Sequence, residues 1–210
     1  MAETEGVIQY RLDHRPGKLP AGPDYPGLFD WFRRCHKLGL IGQDPARYEG
    51  YAYGNISVRA SRGFVISGTQ TGGQSALREQ DLAWVTEFDI AHNRLHATGP
   101  SRPSSEAMTH GAVYRNLPAI DAVIHVHSPK IWGAATRLGL PCTAAEAGYG
   151  TPAMADEVAA LLARQPDGGV LVMGGHEDGV IAYGHDMASA GTRLMAILSD
   201  VDGTADHASP

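Results

Sequence analysis

The segment Val123-Ile124-His125-Val126-His127 limits the possible folds of this chain more than any other part of its sequence. Its β-branched residues favour a strand, and residues two apart in a strand project from the same face. Both imidazoles then lie side by side, whereas a helix would turn them roughly 200° apart. The alternative interpretation is a pair of hydrogen-bonded core histidines. In either case, the sequence predicts a buried strand with two histidines on one face.

Metal binding by this histidine pair would require a further ligand, because a catalytic zinc ion typically keeps three protein ligands and one open position. His176 is the best candidate, since it follows the apolar run 170–173 and the pair Gly174-Gly175, where a strand ends. His185 is a weaker candidate. If the histidine pair binds a metal, we therefore expect the site to be formed by His125, His127 and His176.

Composition and charge exclude several classes of protein. A length of 210 residues suits one domain, and two cysteines are too few for a disulfide framework. A net charge of −6 argues against a nucleic-acid binder. No apolar run approaches the roughly 18 residues that cross a bilayer, and residues 1–22 do not resemble a secretion signal. We expect a soluble, cytoplasmic protein that binds neither nucleic acid nor membranes.

Short β-rich runs alternate irregularly with amphipathic segments, which favours a three-layer α/β/α domain around a mainly antiparallel sheet. We expect an N-terminal arm over residues 1–24, ordered by packing on a neighbour, the domain itself over 25–200 and a flexible tail over 201–210. The predicted strands are 51–58, 63–67, 82–88 followed by a short further strand, 122–127, 170–173 and 180–183. The predicted helices begin near residues 28, 103, 129, 151 and 187.

The motif Pro103-Ser104-Ser105-Glu106 is predicted to open a helix with a serine cap and an acid in its first turn. Backbone N–H groups and hydroxyls at such a terminus can bind an anion such as phosphate. The alternative is an ordinary helix cap. His110 lies one turn later on the same face as Glu106, so we also predict that it orients that carboxylate.

A set of motifs in a fixed order resembles the class II aldolase/adducin family, which includes fuculose-phosphate and rhamnulose-phosphate aldolases and ribulose-phosphate 4-epimerase. The resemblance covers about residues 28–198 and is specific because the motifs occur together. They are Gly54-Asn55-Ile56-Ser57-Val58-Arg59, Ile66-Ser67-Gly68-Thr69, Pro103-Ser104-Ser105-Glu106, His125-Val126-His127, and Gly175-His176 ahead of Gly179-Val180-Ile181.

The resemblance implies a homotetramer with fourfold symmetry and a metal site near a subunit boundary. The three histidines would bind Zn2+, or Mn2+ or Co2+, and Glu106 would act as acid and base. The substrate would be a small ketose or ketose phosphate, cleaved as in an aldolase through a metal-stabilised enediolate. The positions that the resemblance assigns to phosphate binding are Asn55, Thr69, Ser104 and Ser105.

Several positions depart from the family pattern. Gln70 stands where the aldolases have glycine after the phosphate-loop threonine, and the turn His176-Glu177-Asp178-Gly179 is expanded. The segment that precedes Tyr149 is shorter, and Glu146 replaces an expected catalytic tyrosine. Tyr149 is the candidate substitute for that tyrosine.

The same metal site could instead support 4-epimerisation, dehydration of a sugar phosphate or decarboxylation. Glutamate at 106, where the epimerase has aspartate, favours an aldolase. From a different class of protein, the chain could be a non-catalytic interaction module like the adducin heads. Those domains lack the intact ligand set, so the three histidines argue against this alternative.

Overall fold

Ten strands and five helices make up the part of the chain that this computed structural model describes, residues 7–205. The strands are β1 Arg11–Arg15, β2 Gly42–Gln43, β3 Ala52–Tyr53, β4 Asn55–Arg59, β5 Phe64–Ser67, β6 Leu82–Asp89, β7 Arg94–Thr98, β8 Ala122–His127, β9 Gly169–Val172 and β10 Gly179–Gly184. The helices are α1 Tyr25–Lys37, α2 Ala107–Asn116, α3 Pro129–Ala134, α4 Pro152–Leu162 and α5 Met187–Ala205.

Eight of the strands form one sheet in the order β1-β7-β6-β5-β4-β8-β10-β9. All neighbouring pairs in it are antiparallel except β1 and β7, which are parallel. The sheet is therefore mainly antiparallel, as expected, and the one parallel pair at its edge makes it mixed. Strand β8 lies inside the sheet between β4 and β10, and its six residues are all buried.

Both ends of the chain differ from the predicted arm and tail. Residues 11–15 of the arm add strand β1 to the chain's own sheet, where Arg11 pairs with Arg94. Helix α5 continues to Ala205, and its residue Val201 is buried, so the predicted tail begins as helix. Residues 1–6 and 206–210, which complete the arm and the tail, lie outside the described residues.

The two faces of the sheet carry separate apolar clusters, which gives the expected three layers. Helices α1, α3 and α5 cover one face, where Ile124 and Val126 of β8 are buried. Helices α2 and α4 cover the other face, where Val123 is buried. Since side chains alternate along a strand, His125 and His127 project from the same face as Val123. The histidine pair therefore lies on the side of α2 and α4.

Helix α2 begins later than the sequence predicted. Its first residue is Ala107, and Glu106 is the N-cap residue without a side-chain capping hydrogen bond. The predicted serine cap is wrong because the preceding residues are bonded to strand β5 instead. The Ser104 N–H donates to the Ser67 carbonyl over 3.2 Å. Pro103 forms an isolated bridge with Gly68.

Arg59, the last residue of the first family motif, connects β4 to the end of α2. Its Nη2 group donates to the Leu117 and Tyr114 carbonyls over 2.9 Å and 3.1 Å. Its Nε group donates to the Ile120 carbonyl over 2.8 Å. A cation at these carbonyls also complements the negative end of the helix dipole. Arg59 therefore fixes α2 against the sheet.

We predict that Gly191→Ala destabilises the contact between α1 and α5. A Cβ atom at this position would overlap the Trp31 ring. Overpacking of this kind typically costs about 1–3 kcal/mol, and chemical denaturation measures it as a lower free energy of unfolding. The matched control is Gly203→Ala in the same helix, where a Cβ atom meets nothing within 4 Å. The control is expected to stabilise the protein slightly, and equal effects of both variants would contradict the prediction.

Candidate metal centre

Strand β8 and the turn before β10 bring the three predicted ligands together. The rings of His125, His127 and His176 are all buried, and one ligand atom from each lies within 4.8 Å of the others. The ring centroids are separated by 5.1 Å for His125 and His127, 5.3 Å for His125 and His176, and 4.7 Å for His127 and His176. This spacing allows the three rings to share one ion.

His125 shows which nitrogen faces the shared space. Its Nδ1 atom lies 3.2 Å from the Val180 carbonyl, which can only accept, so Nδ1 carries the proton. The Nε2 atom then holds a lone pair, and it is buried without a hydrogen-bond partner in residues 7–205. A metal ion fits such an atom, because metal-bound histidines usually donate their other ring N–H to a carbonyl or carboxylate.

Burial keeps all three imidazoles neutral. Burial lowers the pKa of His125, and the hydrogen bond to the Val180 carbonyl raises it. Burial has the larger effect, so the pKa is about 4. Burial and the charges of His176 and His125 hold the pKa of His127 well below its ordinary range. Burial and the charge of His125 act in the same direction on the pKa of His176. Neutral imidazole is the form that binds metals, so near pH 7 the donor set suits a divalent transition-metal ion.

The glycines around His176 are required by close backbone contacts. A Cβ atom on Gly174 would overlap the Thr143 carbonyl oxygen, and one on Gly175 would overlap the Ala147 carbonyl oxygen. A Cβ atom on Gly179 would lie 2.7 Å from the His176 ring. The His176 turn is therefore packed directly against the loop that precedes α4.

Tyr149 is the residue of that loop that contacts the cluster. Its ring is buried and stacks on His176 with a centroid separation of 4.8 Å and an interplanar angle of 27°. Glu146, which the family resemblance assigns to the position of a catalytic tyrosine, is exposed. Of these two residues, Tyr149 is the one that lies at the candidate site.

Glu106 is buried at the start of α2, where its Oε2 atom accepts a hydrogen bond from the Thr109 hydroxyl over 2.9 Å. His110 is also buried, but its Nδ1 atom is bonded to the Ser57 hydroxyl over 2.6 Å. Thr109 thus supplies the orienting contact to this carboxylate oxygen that we had predicted for His110.

The four predicted phosphate-binding residues lie on adjoining segments. Asn55 pairs with His125 across β4 and β8, and its Oδ1 atom is buried with no hydrogen-bond partner in residues 7–205. The Thr69 N–H donates to the Arg102 carbonyl over 3.0 Å, so the loop after β5 runs beside the buried Ser104-Ser105 pair. Gln70 points its Oε1 atom at the Ala52 N–H over 3.1 Å.

Sequence reasoning missed a second group of side chains, around His127. The Tyr48 ring lies 4.6 Å from that imidazole, and its hydroxyl donates to Asp178 over 2.6 Å. Burial and the Asp178 hydrogen bond raise the pKa of Tyr48, so it remains a donor. Arg47 forms an ion pair with Asp178 at 3.3 Å and lies over the rings of Tyr48 and Tyr53.

Backbone geometry explains why no sequence pattern predicted the side chains around His127. Tyr48 has φ +48° and Asp178 has φ +62°, a region that non-glycine residues rarely adopt. Such positions lie outside helical or strand periodicity, and they tend to cluster at functional sites. The aromatic run ahead of β4 and the expanded turn after His176 were the available signals.

A known protein family matches most of this chain. Residues 46–198 match the sequence model of the class II aldolase and adducin N-terminal domain. The chain is 36% identical over 104 residues to a 5-methylthioribulose-1-phosphate/5-deoxyribulose-1-phosphate aldolase of Rhodospirillum rubrum, covering 49% of the chain but only 40% of that relative. It is 35% identical over 187 residues to a methylthioribulose-1-phosphate dehydratase of Stenotrophomonas maltophilia, covering 76% of the chain and 81% of the relative.

A solved structure shows a similar fold. The L-fuculose-1-phosphate aldolase from Thermus thermophilus superposes with a TM-score of 0.67 at 21% identity. The superposition covers 89% of this chain and 97% of that one. At this level of identity, the likeness concerns the architecture alone.

We predict that the metal-free protein loses stability as the pH falls from about 6.5 towards 4. The pKa of His125 is about 4 in the folded chain and near its ordinary value of 6.5 when unfolded, so only the unfolded state takes up its proton in this window. His110, His127 and His176 have pKa values shifted in the same direction.

Denaturant titrations at about pH 7 and about pH 5 measure the effect. His125 alone can contribute up to about 3 kcal/mol over the whole window, at about 1.36 kcal/mol per pKa unit. The carboxyls with a lowered pKa, Asp89 and Asp186, titrate below this window. An equal free energy of unfolding at both pH values would contradict the prediction.

Proposed function

Because this chain belongs to the class II aldolase and adducin N-terminal domain family, we propose that it is a metal-dependent lyase that cleaves a carbon–carbon bond of a small ketose phosphate. The observation that carries the proposal is the cluster of three buried, neutral imidazoles. The names of the two sequence relatives, both of which refer to a ribulose 1-phosphate, support the substrate class.

In this proposal, His125, His127 and His176 each hold the ion through one ring nitrogen, which for His125 is Nε2. Zinc is the first candidate, and manganese and cobalt are the others, because imidazole accepts several of these metals. An ion held by these rings would supply positive charge to polarise a substrate carbonyl and the hydroxyl beside it. The surrounding strands exclude water from the rings and thereby strengthen this electrostatic effect.

Glu106 is the proposed acid and base. It is buried at the N-terminus of α2, and the Thr109 hydroxyl holds one of its oxygens in place. From this position it would remove a proton from the substrate hydroxyl and return a proton to carbon. Tyr149, stacked on His176, is the proposed second proton donor.

Asn55, Thr69, Ser104 and Ser105 are the proposed phosphate-binding residues. Ser104 and Ser105 precede the N-terminus of α2, where the helix dipole favours an anion, and the Thr69 N–H donates to the Arg102 carbonyl nearby in the chain. Asn55 pairs with the proposed ligand His125 across β4 and β8. Gln70, which replaces a glycine of the family pattern, has its side chain bonded to the backbone of β3. This contact supports retention of the phosphate site despite the substitution.

Dehydration of methylthioribulose 1-phosphate is the second candidate. A relative of that name aligns with 76% of this chain. Both reactions begin with proton removal under the influence of the same ion, and they differ in the bond that breaks. The three histidines and Glu106 would serve either reaction.

We also propose that the protein is a cytoplasmic homotetramer. In residues 7–205, no helix has the length and apolar character needed to span a membrane. Light scattering on the purified protein tests the oligomeric state, and a monomer at micromolar concentration would contradict the proposed homotetramer.

Incubation of the metal-loaded protein with a panel of ketose phosphates separates the activities. The panel contains 5-methylthioribulose 1-phosphate, 5-deoxyribulose 1-phosphate, L-fuculose 1-phosphate and L-ribulose 5-phosphate. We expect release of dihydroxyacetone phosphate, detected by a coupled reductase. Loss of one water by mass spectrometry would instead identify a dehydratase. Failure to react with any of these compounds would contradict the proposed substrate class.

We predict that Glu106→Gln keeps the metal and lowers kcat by about 10²- to 10⁴-fold, because only proton transfer is lost.

His125→Ala is expected to lose metal and turnover together. Metal analysis of protein purified without an affinity tag, combined with kinetics, measures both effects. The control is His92→Ala, which removes an exposed histidine and should change neither. Full activity of His125→Ala would rule out the metal site.

A further inference from the structure

A buried chain of three polar side chains lies between α2 and the sheet. The Tyr114 hydroxyl is 2.7 Å from the Ser57 hydroxyl, which is 2.6 Å from Nδ1 of His110. All three residues are buried. The opposite ring nitrogen of His110, Nε2, is also buried and has no hydrogen-bond partner in residues 7–205.

The direction of the hydrogen bonds in this chain follows from counting the buried donors and acceptors that each direction leaves without a partner. Burial raises the pKa of Tyr114, so its hydroxyl keeps its proton. If the Tyr114 hydroxyl donates to Ser57, Ser57 donates to Nδ1 of His110, and every hydroxyl proton has an acceptor. The reverse direction leaves two buried groups without a partner in residues 7–205, the Tyr114 proton and the lone pair on Nε2 of His110. The first direction leaves only one, the N–H at Nε2 of His110, and it is favoured because each buried polar group without a partner destabilises the fold.

The favoured direction fixes the tautomer of His110. Because Nδ1 accepts a hydrogen bond, the proton of the neutral ring lies on Nε2. Burial, together with the charge of His125, keeps the pKa of His110 well below its ordinary range, which is consistent with a neutral ring. His110 therefore carries a buried N–H donor that has no acceptor among the described residues.

The position of this donor relates it to the metal centre. Ser57 faces Val123 across β4 and β8, and the next pair on the same face is Asn55 and His125. Both members of that pair also carry a buried atom without a hydrogen-bond partner in residues 7–205, Oδ1 of Asn55 and Nε2 of His125. Leaving such groups unpaired is costly. Their common location points to a polar ligand.

We infer that Tyr114 and Ser57 hold His110 with its proton on Nε2, so that His110 donates a hydrogen bond to an oxygen atom of the substrate bound at the metal centre. The identity of the acceptor rests on the proposed function, whereas the tautomer does not. The alternative acceptor is a buried water molecule. Ser57 and Tyr114 are then positioning residues, because they act through His110 and do not contact the substrate themselves.

Nitrogen NMR of the histidine side chains in the zinc-loaded protein tests the tautomer. The His110 signals are identified by their loss in His110→Gln. We expect proton-bearing Nε2 and unprotonated Nδ1 in the unaltered protein. Proton-bearing Nδ1 would overturn the inference whether or not the protein is an enzyme, and His110→Gln serves only to identify the signals.

Ser57→Ala tests the role of the tautomer. We expect a mixture of His110 tautomers, unchanged metal content and a kcat lowered about tenfold to a hundredfold for the ketose phosphate that reacts, which corresponds to one hydrogen bond. Tyr114→Phe should act in the same direction, and Ser57→Thr, which keeps the hydroxyl, should retain the native tautomer.

The matched control is Ser67→Ala. Ser67 is also a buried strand serine, but its neighbour Ile66 faces α2 and α4, so Ser67 faces the other side of the sheet. Its hydroxyl accepts the Ile56 N–H over 3.1 Å. Loss of this contact should lower stability without changing the His110 tautomer.

The outcomes separate this inference from the proposed function. A mixed tautomer in Ser57→Ala with unchanged kcat and KM would show that the acceptor is water and would overturn the substrate contact. If no ketose phosphate reacts, the proposed function and the substrate contact both fail. The NMR result then still decides whether Tyr114 and Ser57 set the tautomer.

Discussion

The candidate site depends on the alternation of side chains along one fully enclosed strand. On one face of β8, Ile124 and Val126 pack against the layer of α1, α3 and α5. On the other face, His125 and His127 are directed into the layer of α2 and α4, where burial keeps them neutral. A shift of this strand by one residue would exchange the two sets. The apolar residues therefore fix the imidazoles, because their burial sets the register of β8 between β4 and β10.

Much of this arrangement could be predicted from local patterns. The paired histidines, the strand that carries them and the glycine turn that presents His176 all follow from short-range periodicity and residue type. The start of α2 could not be predicted, because a hydrogen bond from the Ser104 N–H to the Ser67 carbonyl competes with the helix. Strand β1 was missed for a similar reason, since its pairing with β7 joins residues far apart in sequence. Long-range contacts decided both cases.

The departures from the family pattern lie close to the three rings. Asp178, in the expanded turn, is bonded to Tyr48, whose ring contacts His127. Tyr149, in the shortened segment before α4, stacks on His176. The three imidazoles thus have aromatic and charged neighbours in the segments where the sequence departs from the family pattern. Under the proposed function, we expect these neighbours of His127 and His176, more than the proposed ligands themselves, to determine which reaction the site supports.

The contact between the His176 turn and the loop before α4 also bears on how this protein can diverge. Side chains at Gly174 and Gly175 are excluded by backbone carbonyls, so those two positions tolerate no replacement without movement of the loop. Glu177, between the ligand and Asp178, is exposed to solvent. Within this turn, substitutions are therefore tolerated better at the exposed residue 177 than at the two glycines. A substitution at residue 177 can therefore change the surface chemistry of the turn while the packing of His176 stays the same.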